Sequence, residues 1–256
     1  AIPVSNPEIL AAREMKIPII QRAEALAEIM RLKRGIAIAG THGKTTTTSL
    51  TATAFLAAGS DPTIAVGGRL DLIKSTAKLG AGEWLIAEAD ESDGSFNRLA
   101  PELVVVTNID NDHMDYYKSF ENLQQAYLEF ALKVPFYGAV IVCGDDEKVR
   151  NLFRDFPKKI IYYGFAPEND FVLEGETSHY RVVEKNTGAE VFEFSSPIPG
   201  AHNALNTLAA LLVAREAQLP LKDCLVGIEA FSGVDRRFQL KGQHKSGSLV
   251  FDDYAH

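Results

Sequence analysis

Residues 36–48 read Ile36-Ala37-Ile38-Ala39-Gly40-Thr41-His42-Gly43-Lys44-Thr45-Thr46-Thr47-Thr48. Four apolar residues in a row fit a short buried strand. Residues 40–46 then form a glycine turn, and the Thr- and Ala-rich stretch that follows reads as a helix to about residue 58. Strand, glycine turn and helix, in that order, is the setting in which a Gly-Lys-Thr signature binds phosphate. Glycines let backbone N–H groups turn inward around phosphate oxygens, and the helix start adds a partial positive charge. Lys44 would reach the terminal phosphates of a nucleotide such as ATP, and the Thr45 hydroxyl would bind Mg²⁺. The general signature carries a glycine five residues before Gly43, where Ile38 stands, so this is a variant of the loop. The plain alternative is a Gly-Lys turn opening an ordinary helix. The strand before and the helix after favour the phosphate loop.

Further apolar runs flank this one. Residues 84–87 end at Glu88-Ala89-Asp90-Glu91-Ser92-Asp93, residues 103–106 at Thr107-Asn108-Ile109-Asp110, residues 139–143 at Gly144-Asp145-Asp146, and residues 160–163 at Gly164. Helical patterns cover 120–133 and 147–153. An earlier one places Ala23, Leu26, Ala27, Met30 and Ile19 on one face, with Gly35 as its stop. Continuous apolar strands alternating with helices indicate a parallel sheet covered on both faces. Ligands in such sheets bind beyond the carboxyl ends of the strands. Here the ends after Ala39, Ala87 and Val106 carry polar chemistry. Residues 171–194 instead alternate apolar with polar, broken at Asn186-Thr187-Gly188, which predicts an antiparallel hairpin beside the sheet. Helices over 203–218 and 221–230 and a strand over 248–251 complete the pattern. The fold class is α/β: a mainly parallel, P-loop-type sheet flanked by helices, with a small antiparallel hairpin element.

Composition sets the outer bounds. The 256 residues are 46% apolar and 23% charged, ordinary for a globular chain with a sizeable core. A net charge of -8 argues against a non-specific nucleic-acid binder, which needs a basic footprint. No apolar run approaches bilayer-spanning length, and residues 1–7 have no signal-peptide pattern. Cys143 and Cys224 lie far apart, with no metal or redox spacing around either, and read as reduced. Together these features predict a cytoplasmic protein that binds neither membrane nor nucleic acid.

Five further segments carry candidate chemistry. Glu88, nearest the strand end in its acidic run, is placed to be a metal ligand, because Mg²⁺ must neutralise phosphate charge. Acidic loop residues are otherwise usually solvated. His113 lies in Asn108-Ile109-Asp110-Asn111-Asp112-His113-Met114-Asp115. A neutral imidazole or a carboxylate there can bind metal, whereas a lone loop histidine is more often a surface residue. Asn203 and Asn206 share a helix face, and their amides can pair with the edge of adenine. Capping would account for Asn203 but not Asn206. Arg236 and Arg237 could clamp a phosphate or simply be solvated. Asp252-Asp253-Tyr254-Ala255-His256 again follows an apolar strand.

These segments, GTHGKTTTT, EADESDGSF, TNIDNDHMDYY, PGAHNALN, RRF and DDYAH, stand in the order and wording of the Mur ligases. The chain resembles that family over nearly its whole length, with wording nearest the alanine-adding branch. The ligase that recycles whole peptides is the nearest confusion. The resemblance implies that Gly40, Thr41, His42, Gly43, Lys44, Thr45 and Thr46 hold the ATP phosphates. It implies that Thr45, Glu88 and His113 surround magnesium, that Asn206 and Asn203 meet adenine, and that Arg237 and Asp253 approach the nucleotide. Ser95 would face the muramate substrate, with Tyr254 and His256 at the amino-acid site. Lys44, Glu88, His113 and Arg237 become the catalytic set.

The implied reaction joins L-alanine to the lactyl carboxylate of UDP-N-acetylmuramate during peptidoglycan precursor synthesis. ATP converts the carboxylate to an acyl phosphate, which the alanine amine attacks. The resemblance also implies three parts: residues 1–34 as the tail of a UDP-binding domain, 35–241 as the ATP-binding domain and 242–256 as the start of a carboxyl-terminal domain. The expectation is a chain that binds ATP without turnover alone. A GTPase switch is the rival enzyme class, but the chain has no Asp-x-x-Gly and no Asn-Lys-x-Asp. A non-catalytic nucleotide-binding fragment is the other alternative.

Overall fold

The computed structural model describes residues 2–70, 72–231, 233–234 and 239–253. The chain opens with α1 (Pro7–Glu14) and α2 (Arg22–Met30), then β1 (Arg34–Ala39), α3 (Lys44–Ala57), β2 (Thr63–Leu70), β3 (Ser75–Lys78) and β4 (Trp84–Glu88). A 3-10 turn (Ser95–Arg98) leads to β5 (Leu103–Val106), α4 (Met114–Tyr117), α5 (Phe120–Ala131), β6 (Ala139–Cys143), α6 (Glu147–Leu152) and β7 (Ile160–Gly164). Then come β8 (Phe171–Glu176), β9 (His179–Glu184), β10 (Ala189–Ser195), α7 (Ala201–Glu216), α8 (Leu221–Glu229), β11 (Gln239–Gln243) and β12 (Leu249–Asp252).

Ten strands form one sheet in the order β10-β9-β8-β7-β6-β5-β1-β4-β2-β3. Pairing is parallel from β2 through β4, β1, β5, β6 and β7 to β8, and antiparallel at both edges. The strand residues sort by parity, as a pleated sheet requires. Ile36, Ile38, Leu103, Val105 and Ile141 face a core shared with α3, α7 and α8. Ala37, Ala39, Val104, Val106 and Val142 face the opposite core, shared with α2 and α5. Two covered faces explain why these strands read as unbroken apolar runs.

The antiparallel element is larger than the expected hairpin. Residues 171–195 form three strands, with a second turn at Thr177 and Ser178, and continue the main sheet through β8 rather than standing beside it. Gly35 does not stop α2, which ends at Met30; it lies within β1, where a Cβ would approach Met30 Cγ to 2.6 Å. Ile19 precedes α2 and is exposed. β11 and β12 pair in a separate two-stranded sheet.

The helix after the glycine loop is buried almost end to end despite its threonines. Three of its hydroxyls bond back to the carbonyl one turn earlier: Thr48 to Lys44 (2.8 Å), Thr51 to Thr47 (2.8 Å) and Thr53 to Ser49 (2.9 Å). A polar side chain satisfied by its own helix can be buried at small cost. Small side chains on α3 and alanines on α7 then let the two helices pack against one sheet face.

Candidate functional site

β1 lies between β4 and β5, so the chain leaves β1 where the strand order reverses. The loop of residues 40–43 sits in that crevice, as open α/β sheets direct. Two glycines are required there. Gly40 has φ 135°, and a Cβ on it would come within 2.0 Å of Thr107 Oγ1. Gly43 has φ 84°, and a Cβ on it would meet Asn206 Oδ1 at 2.8 Å. Gly43 caps α3 without a side-chain hydrogen bond. The first-turn amides of a helix have no acceptor within it, so this helix start is built to take an anion.

The loop is braced by the end of β5. The Thr41 amide donates to the Asn108 carbonyl (3.1 Å), and the His42 amide to Asn108 Oδ1 (2.8 Å). Thr107 Oγ1 and Asn108 Nδ2 donate to the His42 carbonyl at 2.6 and 2.9 Å. The Asp110 amide donates to Thr41 Oγ1 (2.8 Å), while its carboxylate takes Lys148 Nζ (2.7 Å). That ammonium holds Asp110 below the usual carboxylate range. His42 is exposed, and the buried part of α3 begins at Thr45 and Thr46.

Thr45 Oγ1 donates to Glu88 Oε1 at 3.1 Å, so these two expected metal ligands do meet. Glu88 Oε2 accepts from the Gly67 amide at 2.8 Å. Lys44 Nζ has three acceptors: the Gly40 carbonyl (2.6 Å), the Thr41 carbonyl (3.1 Å) and Glu91 Oε1 (2.8 Å). The third expected ligand, His113, adopts φ 56° and points Nε2 to 3.7 Å from the same Glu91 oxygen. Lys44, Glu91 and His113 therefore form one chain of contacts beside the Thr45–Glu88 pair.

Sequence reasoning preferred Glu88 and passed over Glu91, which is only 1% exposed. Burial strips water from the Glu91 carboxyl and raises its pKa against the pull of Lys44. Nothing in the acidic run distinguishes Glu91 from its solvated neighbours, so burial alone reveals it. The Gly67–Gly68 pair was also missed. Cβ atoms on these glycines would come within 2.7 Å of Glu88 Oε2 and 3.1 Å of Thr45 Cγ2 respectively. Consecutive glycines inside an apolar run, a mark of close backbone approach, were the available signal.

Asn206 is buried over Gly43, and its Nδ2 lies 3.4 Å from Asn203 Oδ1. Asn203 is not the cap of α7, which is Gly200; its Nδ2 donates to the Pro199 carbonyl at 2.8 Å. Ser95 is half-buried at the start of the 3-10 turn, with its amide on Asp93 Oδ1 (3.0 Å). Asp253 stands exposed just after β12. Arg236, Arg237, Tyr254 and His256 lie outside the described residues.

Comparison with known proteins identifies the family. Residues 38–214 match the Mur ligase middle domain. The chain belongs to the Mur ligase family. Residues 1–34 match a second Mur ligase model, that of the family's catalytic domain. A relative from Bdellovibrio bacteriovorus, a UDP-N-acetylmuramate–L-alanine ligase, is 58% identical over all of this chain and 57% of its own length. A ligase of the same name from Geotalea daltonii is 48% identical, again over the whole chain and 56% of its own length. The crystal structure of UDP-N-acetylmuramate–alanine ligase from Thermotoga maritima superposes with a TM-score of 0.86 at 28% identity, covering 100% of this chain and 59% of that one. The chain thus spans a little over half the length of the relatives it matches. No helix among the described residues is long and apolar enough to cross a membrane.

Proposed function

We propose that this chain carries the ATP site of a ligase that joins L-alanine to the lactyl carboxylate of UDP-N-acetylmuramate. The observation that carries the reading is Lys44 at the mouth of an uncapped helix start, with Thr45 on Glu88 and Asn206 over Gly43. A carboxylate resists amine attack because it is anionic and lacks a leaving group. Phosphoryl transfer from ATP supplies the leaving group, and the amine then displaces phosphate. The loop amides and Lys44 orient the phosphates and offset their charge, which is most of what phosphoryl transfer asks of a protein. Asn206, held by Asn203 Oδ1 and lying over Gly43, carries an amide of the kind that pairs with adenine.

No group of three or more His, Cys, Asp or Glu side chains that could cage a metal occurs among the described residues. That fits Mg²⁺, which keeps several waters and shares one or two carboxylates with substrate phosphates. Thr45, Glu88 and His113 would hold it, and it would supply charge neutralisation at the phosphates. Glu88 is already oriented for this by the Gly67 amide and the Thr45 hydroxyl. Ser95, Arg237, Asp253, Tyr254 and His256 are proposed to contribute from the substrate side, and the chain alone is expected to bind nucleotide without ligating.

The test uses the full-length protein with ATP, UDP-N-acetylmuramate and a choice of L-alanine, glycine, L-serine or a tripeptide. Phosphate release that depends on L-alanine first supports the reading. Preference for the tripeptide replaces the alanine-adding assignment with a peptide-recycling one, and release with no acceptor dependence overturns both.

A further inference from the structure

Glu91 is absorbed by none of the roles above, yet it is the most completely buried acid near the loop. Its Oε1 takes the Lys44 ammonium at 2.8 Å and faces His113 Nε2 at 3.7 Å. Its Oε2 is buried and has no hydrogen-bond partner among the described residues. A carboxylate kept for structure normally has both oxygens satisfied, because an unmet buried acceptor is costly. This one is half satisfied, and its contacts at Oε1, Lys44 and His113, are two residues of the proposed site.

The lysine side of the pair points the same way. An ammonium has three donors, and Lys44 directs all three at the Gly40 carbonyl, the Thr41 carbonyl and Glu91. It can take a phosphate oxygen only by giving one of these up. The two carbonyls belong to a loop held by Thr107 and Asn108. The carboxylate is on a side chain, and it is the one of the three whose negative charge a phosphate would replace. His113 Nε2 lies 3.7 Å from the same carboxylate oxygen.

We propose that Glu91 is a stand-in anion for the phosphate loop, holding Lys44 until nucleotide polyphosphate displaces it, and so setting how strongly the loop takes di- and triphosphates. This rests on the reading of residues 40–46 as a nucleotide site. Glu91 is on this account a positioning residue that acts through Lys44. Removing its charge while keeping its shape leaves Lys44 without a competing anion. The gain should appear for ligands that reach Lys44 and be absent for a monophosphate.

The experiment compares wild type, Glu91→Gln and Glu91→Asp by calorimetric titration with ADP, inorganic tripolyphosphate and AMP, in EDTA. Thermal melts establish that each variant is folded. Glu91→Gln is expected to bind ADP and tripolyphosphate roughly tenfold tighter, as for loss of one close charge competitor, with AMP unchanged. Glu91→Asp returns affinity towards wild type. Equal or weaker polyphosphate binding by Glu91→Gln, or an equal gain for AMP, overturns the proposal. In wild type, where no variant has to fold, the Glu91 carboxyl ¹³C resonance shifts on saturation with tripolyphosphate; an unmoved resonance overturns it too. If wild type binds ADP and Glu91→Gln shows no gain, the stand-in role alone fails. If neither binds, the nucleotide reading fails with it.

Discussion

A methyl group on Gly67 should disconnect Glu88 from Thr45 without unfolding the chain. A Cβ there would lie 2.7 Å from Glu88 Oε2, 2.9 Å from Oε1 and 3.0 Å from Cδ. All three atoms are at the far end of a flexible side chain, so the carboxylate moves rather than the backbone. In moving it gives up the Gly67 amide at 2.8 Å and the Thr45 hydroxyl at 3.1 Å. Hydrogen bonds to a charged group contribute about 1.5–3 kcal/mol each when nothing replaces them. Glu88 is only half-buried and regains water, so the net loss of stability is about 1 kcal/mol, or roughly 2–4 °C in Tm for a chain of this size. The functional loss is larger, since the carboxylate no longer faces Thr45. ADP titrations of Gly67→Ala with and without Mg²⁺ separate the two effects. The Mg²⁺-dependent gain in ADP affinity should fall about tenfold, equivalent to 1.4 kcal/mol, with metal-free affinity nearly unchanged. A full Mg²⁺ gain in Gly67→Ala, or a fall in Tm beyond about 8 °C, would refute the reasoning.

Other expectations follow from the same geometry. Gly40→Ala meets both a φ of 135° and a contact of 2.0 Å with Thr107 Oγ1, and backbone strain alone costs about 1–3 kcal/mol; urea denaturation should show a loss of about 3 kcal/mol or more, and a loss below 1 kcal/mol would contradict the loop geometry. Asn206→Ala removes the amide over Gly43 and should weaken ADP about tenfold, the scale of one buried hydrogen bond, while tripolyphosphate binding stays within about twofold; equal losses for both ligands would remove Asn206 from the adenine role. Burial pushes the thiols of Cys143 and Cys224 up to about 11, so both should resist iodoacetamide at pH 8 and react once the chain is denatured; rapid native alkylation of either would show that its burial is wrong.

The parallel half of the sheet was legible because β1, β4, β5, β6 and β7 are buried on both faces and therefore apolar without interruption. β2 was not, because Gly67 and Gly68 interrupt its apolar run and read as punctuation, although their bareness is what admits Glu88 and Thr45. β3 is set by pairing with β2, and its own residues, Ser-Thr-Ala-Lys, carry no strand pattern. α1 had a usable signal, Asn6 capping a helix with Pro7 at its first position, that hydrophobic periodicity alone passes over. Within the site, Lys44, Thr45, Glu88, His113, Asn203 and Asn206 could be read from motif and spacing, because each follows a strand end or opens a helix. Glu91 could not, since what separates it from Asp90 and Asp93 is burial, which depends on how the loop after β4 folds back against α4.

The measurement that bears most directly on the central claim is an equilibrium titration of this chain with ATP and GTP in Mg²⁺, repeated on Lys44→Ala. A nucleotide site built on the uncapped start of α3, with Asn206 reading adenine, requires saturable one-to-one binding of ATP, competition by ADP, weaker binding of GTP, and loss of ATP binding in Lys44→Ala. Unsaturable binding, equal affinity for GTP, or an unchanged affinity in Lys44→Ala would contradict it.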